Sequence, residues 1–398
     1  MLHRPRCVKS VRGGSSLAVH TSLEQRATWL LGILDSAIAL ATADLAVPSS
    51  LAAEDAESVI AAGLPEKRQQ DLKANYESWV HRYKAGEPGE RESTVGLEQI
   101  EADVKTHGII EQLILADEPD AVVVGEEALP AAWDTWEAAG PGTVIYSVDS
   151  IDGSSPYDSL SFGFSTNLLM YVRQQDGTDV LTMTIVMNSS RLGLVYMTPN
   201  SVSPAYLDGR RDPLTEPAFS DEDVRPGFCA VVGASPNQRR LAAQILDTTL
   251  GWGLPPLSTG GKVEEDPPLT VFTLGGAPAT WGIAMGKLDV FICPFKQTVH
   301  DTAGVPALLA LGLKAFGPGG EPYENRELLA RFNQLARPKS ENYQPIPPLV
   351  IGRSEDLAAL IARRLWSAGE QRLVAQSASN PGESGLRLVS GADGADAK

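Results

Sequence analysis

From Thr143 to Val148 the chain is an apolar, β-branched run that passes directly into Asp149-Ser150-Ile151-Asp152-Gly153-Ser154-Ser155. A short run of that kind bounded by turn residues predicts a buried strand, and a buried strand needs a sheet with cover on both faces. The residues after the run read as a turn: two carboxylates, then a glycine and two hydroxyls. Carboxylates on a sharp turn can share hard cations such as Mg2+, and free N–H groups beside hydroxyls can hold an anion. An Asp/Gly/Ser turn that simply caps a strand is the competing reading, and the motif alone does not separate the two.

Composition narrows the partners. The formal net charge is -17 over 398 residues, so no basic face of useful size can be assembled for nucleic acid or an anionic membrane. An anionic substrate would need that field reversed locally, which a bound divalent cation does. Cys7, Cys229 and Cys293 are far apart, with no CxxC spacing. Neither a disulfide framework nor a zinc site is expected, and a reducing cytoplasm is the simplest location. The apolar stretch from Thr28 to Val47 contains Asp35 and Asp44, which fits a soluble helix rather than a membrane span or a signal segment.

In chain order, residues 1–18 read as a disordered leader, basic and without a core. A capping box at Ser22 and Gln25 then opens a helix with Ala27, Leu30, Leu31, Leu34, Ile38, Ala41 and Leu45 on one face. Residues 48 to 92 are polar, with one helix expected around Glu66 to Tyr83. A second amphipathic helix runs from Leu97 to Leu115 on Ile100, Val104, Ile110, Leu113 and Ile114, with Asp103 beside its apolar face. Ala121 to Gly125 reads as a buried strand that delivers Glu126 and Glu127 at its end, where paired glutamates are ordinarily surface residues. Trp133 to Gly142 is expected to be a loop.

Beyond the acidic motif, Phe162 to Arg173, Asp179 to Asn188 and Leu192 to Met197 predict three antiparallel strands. The proline-rich stretch from Thr198 to Gly227 reads as a boundary. After it come strand Phe228 to Gly233, helix Pro236 to Leu250, strand Leu269 to Leu274, helix Gly276 to Gly286, strand Leu288 to Cys293 and a helix over 300–312. Lys314 to Phe316, strand Leu349 to Gly352 and helix Ser354 to Trp366 complete an α/β layer. A tail over 371–398 is expected to be disordered, and no internal repeat is found.

Asp103, Gly125-Glu126-Glu127, Asp149-x-Ile151-Asp152-Gly153-Ser154-Ser155 and His300-Asp301-Thr302-Ala303-Gly304 occur in that order. Together they resemble the inositol monophosphatase family, part of the lithium-sensitive, Mg2+-dependent phosphatases that include fructose-1,6-bisphosphatase. The resemblance implies a mixed α+β / α/β chain in a layered αβαβα sugar-phosphatase-like fold of two packed sub-domains, 19–200 and 201–370. It implies two or three Mg2+ ions: one on Glu126, Asp149 and the Ile151 carbonyl, a second on Asp149, Asp152 and Asp301, and a weaker third on Asp103 and Glu126. It assigns Ser154 to a proton relay toward Asp103, and Gly153, Ser154, Ser155 and Lys296 to the phosphate or the rest of the substrate. The implied reaction is hydrolysis of a small polar phosphate (sugar, cyclitol or nucleotide phosphate) by a metal-activated water, in a homodimer.

Several positions depart from that pattern. Ser150 stands where the family has proline, His300 where it has tryptophan, and Pro156 where it has asparagine; Pro306 falls in the first turns of the last helix. Pro294 occupies the place of an acidic residue that holds inositol hydroxyls, which counts against myo-inositol phosphate. Gly153-Ser154-Ser155 leans toward a fructose-1,6-bisphosphatase-like enzyme, although no second basic cluster for a bisphosphate is evident. The other readings are a catalytically idle regulator that binds a phosphorylated metabolite, and a structural Ca2+ site.

Overall fold

The computed structural model describes residues 22–46, 97–153, 163–198, 201–206, 228–231, 270–337 and 344–366. Helix α1 (Leu23–Ala46) begins where the capping residue places it, with the Ser22 hydroxyl accepting the Gln25 N–H at 3.2 Å. Ala27, Leu30, Leu31, Leu34 and Ile38 are all buried, as their spacing predicts. Helix α2 (Leu97–Asp117) buries Val104, Ile110, Leu113 and Ile114.

The first sheet contains β1 (Val122–Gly125), β2 (Val144–Asp152), β3 (Ser165–Arg173), β4 (Asp179–Asn188), β5 (Leu192–Met197) and β6 (Ser201–Tyr206), in that spatial order. β1 and β2 are parallel, and every later neighbour is antiparallel. A parallel pair needs a crossover, and helix α3 (Pro130–Ala138) supplies it where a loop was expected from Trp133. Pro130 sits in the first turn, where no N–H is required, and Trp133 gains burial against Val122 and Val124.

The second sheet joins β7 (Phe228–Val231), β8 (Thr270–Thr273), β9 (Val290–Cys293), β10 (Ala315–Phe316) and β11 (Leu349–Gly352) in the order β10-β11-β9-β7-β8. Helices α4 (Gly276–Ala284), α5 (Val305–Ala310) and α6 (Asn325–Phe332) connect these strands, and α7 covers 355–366. α5 is shorter than the helix expected over 300–312, because residues 301–304 remain in turns before Gly304 caps it. Pro306 lies in its first turn and so breaks no hydrogen bond. α6 was not foreseen; Leu328 and Phe332 give it a narrow apolar side within a polar segment.

Strand alternation sorts the core into layers. Val144, Tyr146, Val148, Leu168 and Met170 pack against α1 and α2, while Ile145, Leu169 and Tyr171 face the opposite way, toward Ala277, Ile283 and Leu308 of α4 and α5. In the second sheet Phe291, Cys293, Leu349 and Ile351 join that central layer. Val290, Ile292 and Val350 turn outward onto Ala358, Ile361, Ala362 and Leu365 of α7. The result is helix, sheet, helix, sheet, helix, the αβαβα order implied by the resemblance. The expected helices at Glu66 to Tyr83 and Pro236 to Leu250 lie outside the described residues, as do the leader and the tail. No helix among the described residues is long and apolar enough to cross a membrane.

One polar network ties the outer helices to the first sheet. Arg26 Nη2 is 2.7 Å from Glu118 Oε1, and the Tyr146 hydroxyl donates to Glu118 Oε2 at 2.8 Å while accepting from Arg26 Nη1 at 3.3 Å. Arg26 and Glu118 are both buried, so removing one leaves the other charge without compensation. Arg26→Leu is expected to lower unfolding free energy by roughly 3–5 kcal/mol, measured by urea denaturation.

Candidate metal centre

β2 delivers the two central acids through an irregularity. In a regular strand residues three apart face opposite sides of the sheet, which would separate Asp149 from Asp152. The β2–β3 register shifts between these two residues, and the extra residue brings both carboxylates to one side. The acids therefore sit on the distorted end of the strand rather than on a turn. The turn starts at Gly153, whose φ of 94° favours glycine.

Two other segments approach that end closely. Gly125 lies opposite Val148, and a Cβ there would stand 2.0 Å from the Val148 carbonyl oxygen. Only glycine lets β1 come this near and present Glu126. From the far side, α4 aims its N-terminus at Asp152, whose Oδ2 accepts the Ala277 N–H at 2.6 Å. A Cβ on Gly275 would lie 2.0 Å from Asp152 Oδ1, and one on Gly276 2.1 Å from the Asp301 carbonyl oxygen. The helix has no capping side chain of its own at Gly275; Asp152 fills that role from the neighbouring sheet.

Asp301 comes from the turn before α5. Thr298 and Asp301 clasp one another: Asp301 Oδ2 accepts the Thr298 N–H at 3.3 Å and Thr298 Oγ1 accepts the Asp301 N–H at 3.2 Å. Asp301 lies before the helix, which begins at Val305. Ligand atoms of Asp149, Asp152 and Asp301 lie within 4.8 Å of one another, and so do those of Glu126, His300 and Asp301. Asp301 belongs to both groups.

Asp103 joins from α2. Ser150 Oγ stands 2.8 Å from Asp103 Oδ1 and 2.9 Å from its carbonyl oxygen, with one hydroxyl proton to share between them. The Ile151 N–H also donates to the Asp103 carboxylate. Proline at position 150 would lack that hydroxyl, so the departure at Ser150 adds a brace. Asn167 reaches both Asp152 Oδ2 and the His300 carbonyl at 3.4 Å, and its own Oδ1 accepts from Ser165 at 2.7 Å. Sequence reasoning missed Ser150 and Asn167 as site residues, because a serine in a turn and an asparagine in a strand carry no signal until the sheet forms. Glycines 275 and 276 were the available cue to the close approach of α4. Ser154 and Ser155 lie outside the described residues, and Lys296 is exposed after β9.

The electrostatics are unfavourable without a cation. Burial raises the Asp103 carboxyl from 3.8 to about 8, with Glu126 adding to the rise and the Ser150 hydrogen bond opposing it. Asp149 and Asp152 are held well above the usual range by burial and then by their acidic neighbours, Asp301 among them. Glu127 is raised by burial and by Asp103 and Glu126. Glu126, whose side chain is 65% exposed, is raised by packed surroundings and by Asp301, with His300 opposing. Among the described residues, no lysine or arginine pairs with any of these acids. Oxygen donors drawn from separate segments, crowded and uncompensated, fit hard divalent cations.

Acids with raised folded-state values stabilise the fold at low pH and lose that contribution as pH rises from 3.8 through about 8. Buried His107 acts oppositely: its value falls from 6.5 to about 4, so its cost appears only as pH drops below 6.5. Between pH 6.5 and 8 only the acid effect operates. The metal-free protein should lose about 3 °C or more in Tm across that window, on the order of 1 kcal/mol. Saturating Mg2+ should abolish the slope, read by differential scanning fluorimetry with and without EDTA.

No family model matches this chain, and no curated protein matches it. Similar solved structures are of inositol monophosphatases. Inositol monophosphatase II of Staphylococcus aureus MSSA476 is 17% identical, with 77% of this chain and 97% of that one covered and a TM-score of 0.44. The IMPase of Thermotoga maritima is 12% identical, over 78% and 99% of the two chains, also at 0.44. An IMPase/NADP phosphatase complexed with Mg2+ and phosphate is 10% identical, over 75% and 96%, at 0.42. Similarity at this level carries no statement about the reaction, which rests on the side chains themselves.

Proposed function

We propose that this protein is a Mg2+-dependent phosphomonoesterase that hydrolyses a small polar phosphate: a sugar, cyclitol or nucleotide phosphate. The observation that carries the reading is the convergence of Asp149, Asp152 and Asp301, from two segments far apart in sequence, on one point within 4.8 Å. These three would hold one ion, and Glu126 with Asp149 and the Ile151 carbonyl another; Asp103 with Glu126 would take a weaker third. When bound, such cations neutralise phosphoryl and leaving-group charge and lower the pKa of water. Asp103, fixed by Ser150 and the Ile151 N–H, would accept a proton once neighbouring cations favour its ionised form. Ser154 would relay that proton, and the Gly153, Ser154 and Ser155 backbone and hydroxyls would bind phosphate oxygens. Lys296 would contact a distal anionic group.

Substrate choice depends on the surroundings of the cluster. Pro294 is buried directly after β9 and offers no carboxylate to polyol hydroxyls, which favours a substrate other than myo-inositol phosphate. The net charge of -17 supports a small molecule rather than nucleic acid, admitted once cations reverse the local field. The sparse cysteines fit a cytoplasmic enzyme.

The test is phosphate release from a panel of sugar, inositol and nucleotide phosphates with Mg2+. Asp152→Asn keeps an oxygen for the Ala277 N–H but loses the charge. It should reduce turnover about a thousandfold, in line with several kcal/mol of charge stabilisation, while circular dichroism stays unchanged. Tight Mg2+ binding with no release from any substrate would overturn the enzyme reading in favour of a phosphometabolite-binding protein.

A further inference from the structure

His300 is the one nitrogen donor that the metal centre gathers among the described residues. Its side chain is 6% exposed. Its Nε2 lies 3.9 Å from Glu126 Oε2, too far for a hydrogen bond. That separation fits two ligands sharing an ion, since donors each about 2.1 Å from one cation can stand up to roughly 4.2 Å apart. Asp301 completes the group, with all three ligand atoms within 4.8 Å. The His300 backbone is held too, because its carbonyl accepts from Asn167 at 3.4 Å. A buried imidazole that shares a 4.8 Å cluster with two carboxylates offers a mixed nitrogen and oxygen donor set to a divalent ion.

We propose that His300 is a metal ligand, and that the Glu126–His300–Asp301 position selects a nitrogen-accepting divalent ion such as Mn2+ or Co2+ over Mg2+. The adjacent Asp149–Asp152–Asp301 position is all oxygen and suits Mg2+. Imidazole favours the later first-row ions, whereas carboxylate and water suit Mg2+. One centre would then take two chemically different ions, divided at Asp301. This rests on the metal-binding part of the proposed function and adds a preference that an all-oxygen site would not have.

The test is pulsed electron paramagnetic resonance of the full chain loaded with Mn2+, with calorimetric titration of Mn2+, Co2+ and Mg2+. Wild type should show nitrogen-14 coupling from one directly bound imidazole, and His300→Gln should lose it. The same substitution should weaken Mn2+ and Co2+ binding by about tenfold or more while leaving Mg2+ within about threefold. His300→Asn, with its amide retracted from the ion, should behave likewise, and circular dichroism of both variants checks folding. Mn2+ binding without nitrogen coupling, or equal losses for all three ions, would overturn the proposal and leave the phosphatase reading standing. No divalent binding at all by wild type would overturn both.

Discussion

The contact between Asp152 and the N-terminus of α4 is the joint on which the rest depends. One carboxylate ends a strand of the first sheet, accepts the Ala277 N–H, and so anchors the central helical layer that the second sheet covers. It works only because Gly275 and Gly276 leave no side chain in the gap. The helix dipole offsets part of the charge, but burial and Asp301 still hold Asp152 well above the usual range. The same residue therefore joins two layers and lies in the acidic cluster that could hold a cation, so assembly of the fold and assembly of the site are one event.

The electrostatics depend on that joint. Four elements bring Asp103, Glu126, Asp149, Asp152 and Asp301 together without a lysine or arginine among the described residues to offset them. Packing energy from the three cores supports this arrangement, and part of that energy is spent on crowding like charges. Such a centre is poised for cations: whatever binds there relieves repulsion already built into the fold. Ser150, Asn167 and Thr298 hold the acids in place, the first two from the paired strands and the third from the turn that carries Asp301.

The layered class was legible because its signals are local and periodic. The apolar alternation of Leu192 to Met197 and Asp179 to Asn188 matches the observed strands at both ends, and Ser22 marked the start of α1 by a single hydroxyl. Where local signals competed, the sequence misled. α3 looked like a loop because its tryptophans and acids hide a short helix that only a parallel β1–β2 pair requires. α5 stops short of the periodic pattern over 300–312 because the Thr298–Asp301 clasp keeps its first turns irregular.

The amino-acid sequence by itself determined which residues could carry chemistry: the acids after two buried strands, the acid in the last motif, and the glycines that must flank them. Its periodicities also determined helices such as α1 and α2 and strands such as β4 and β5, since burying one face is a local demand. Only the tertiary structure decided that the register shift turns Asp149 and Asp152 to one side, that Ser150 braces Asp103, and that His300 reaches Glu126. The last two are contacts between residues 47 and 174 positions apart, and no spacing along the chain encodes them. They exist because two sheets and a helix N-terminus close on one point, where distance and burial are set by packing.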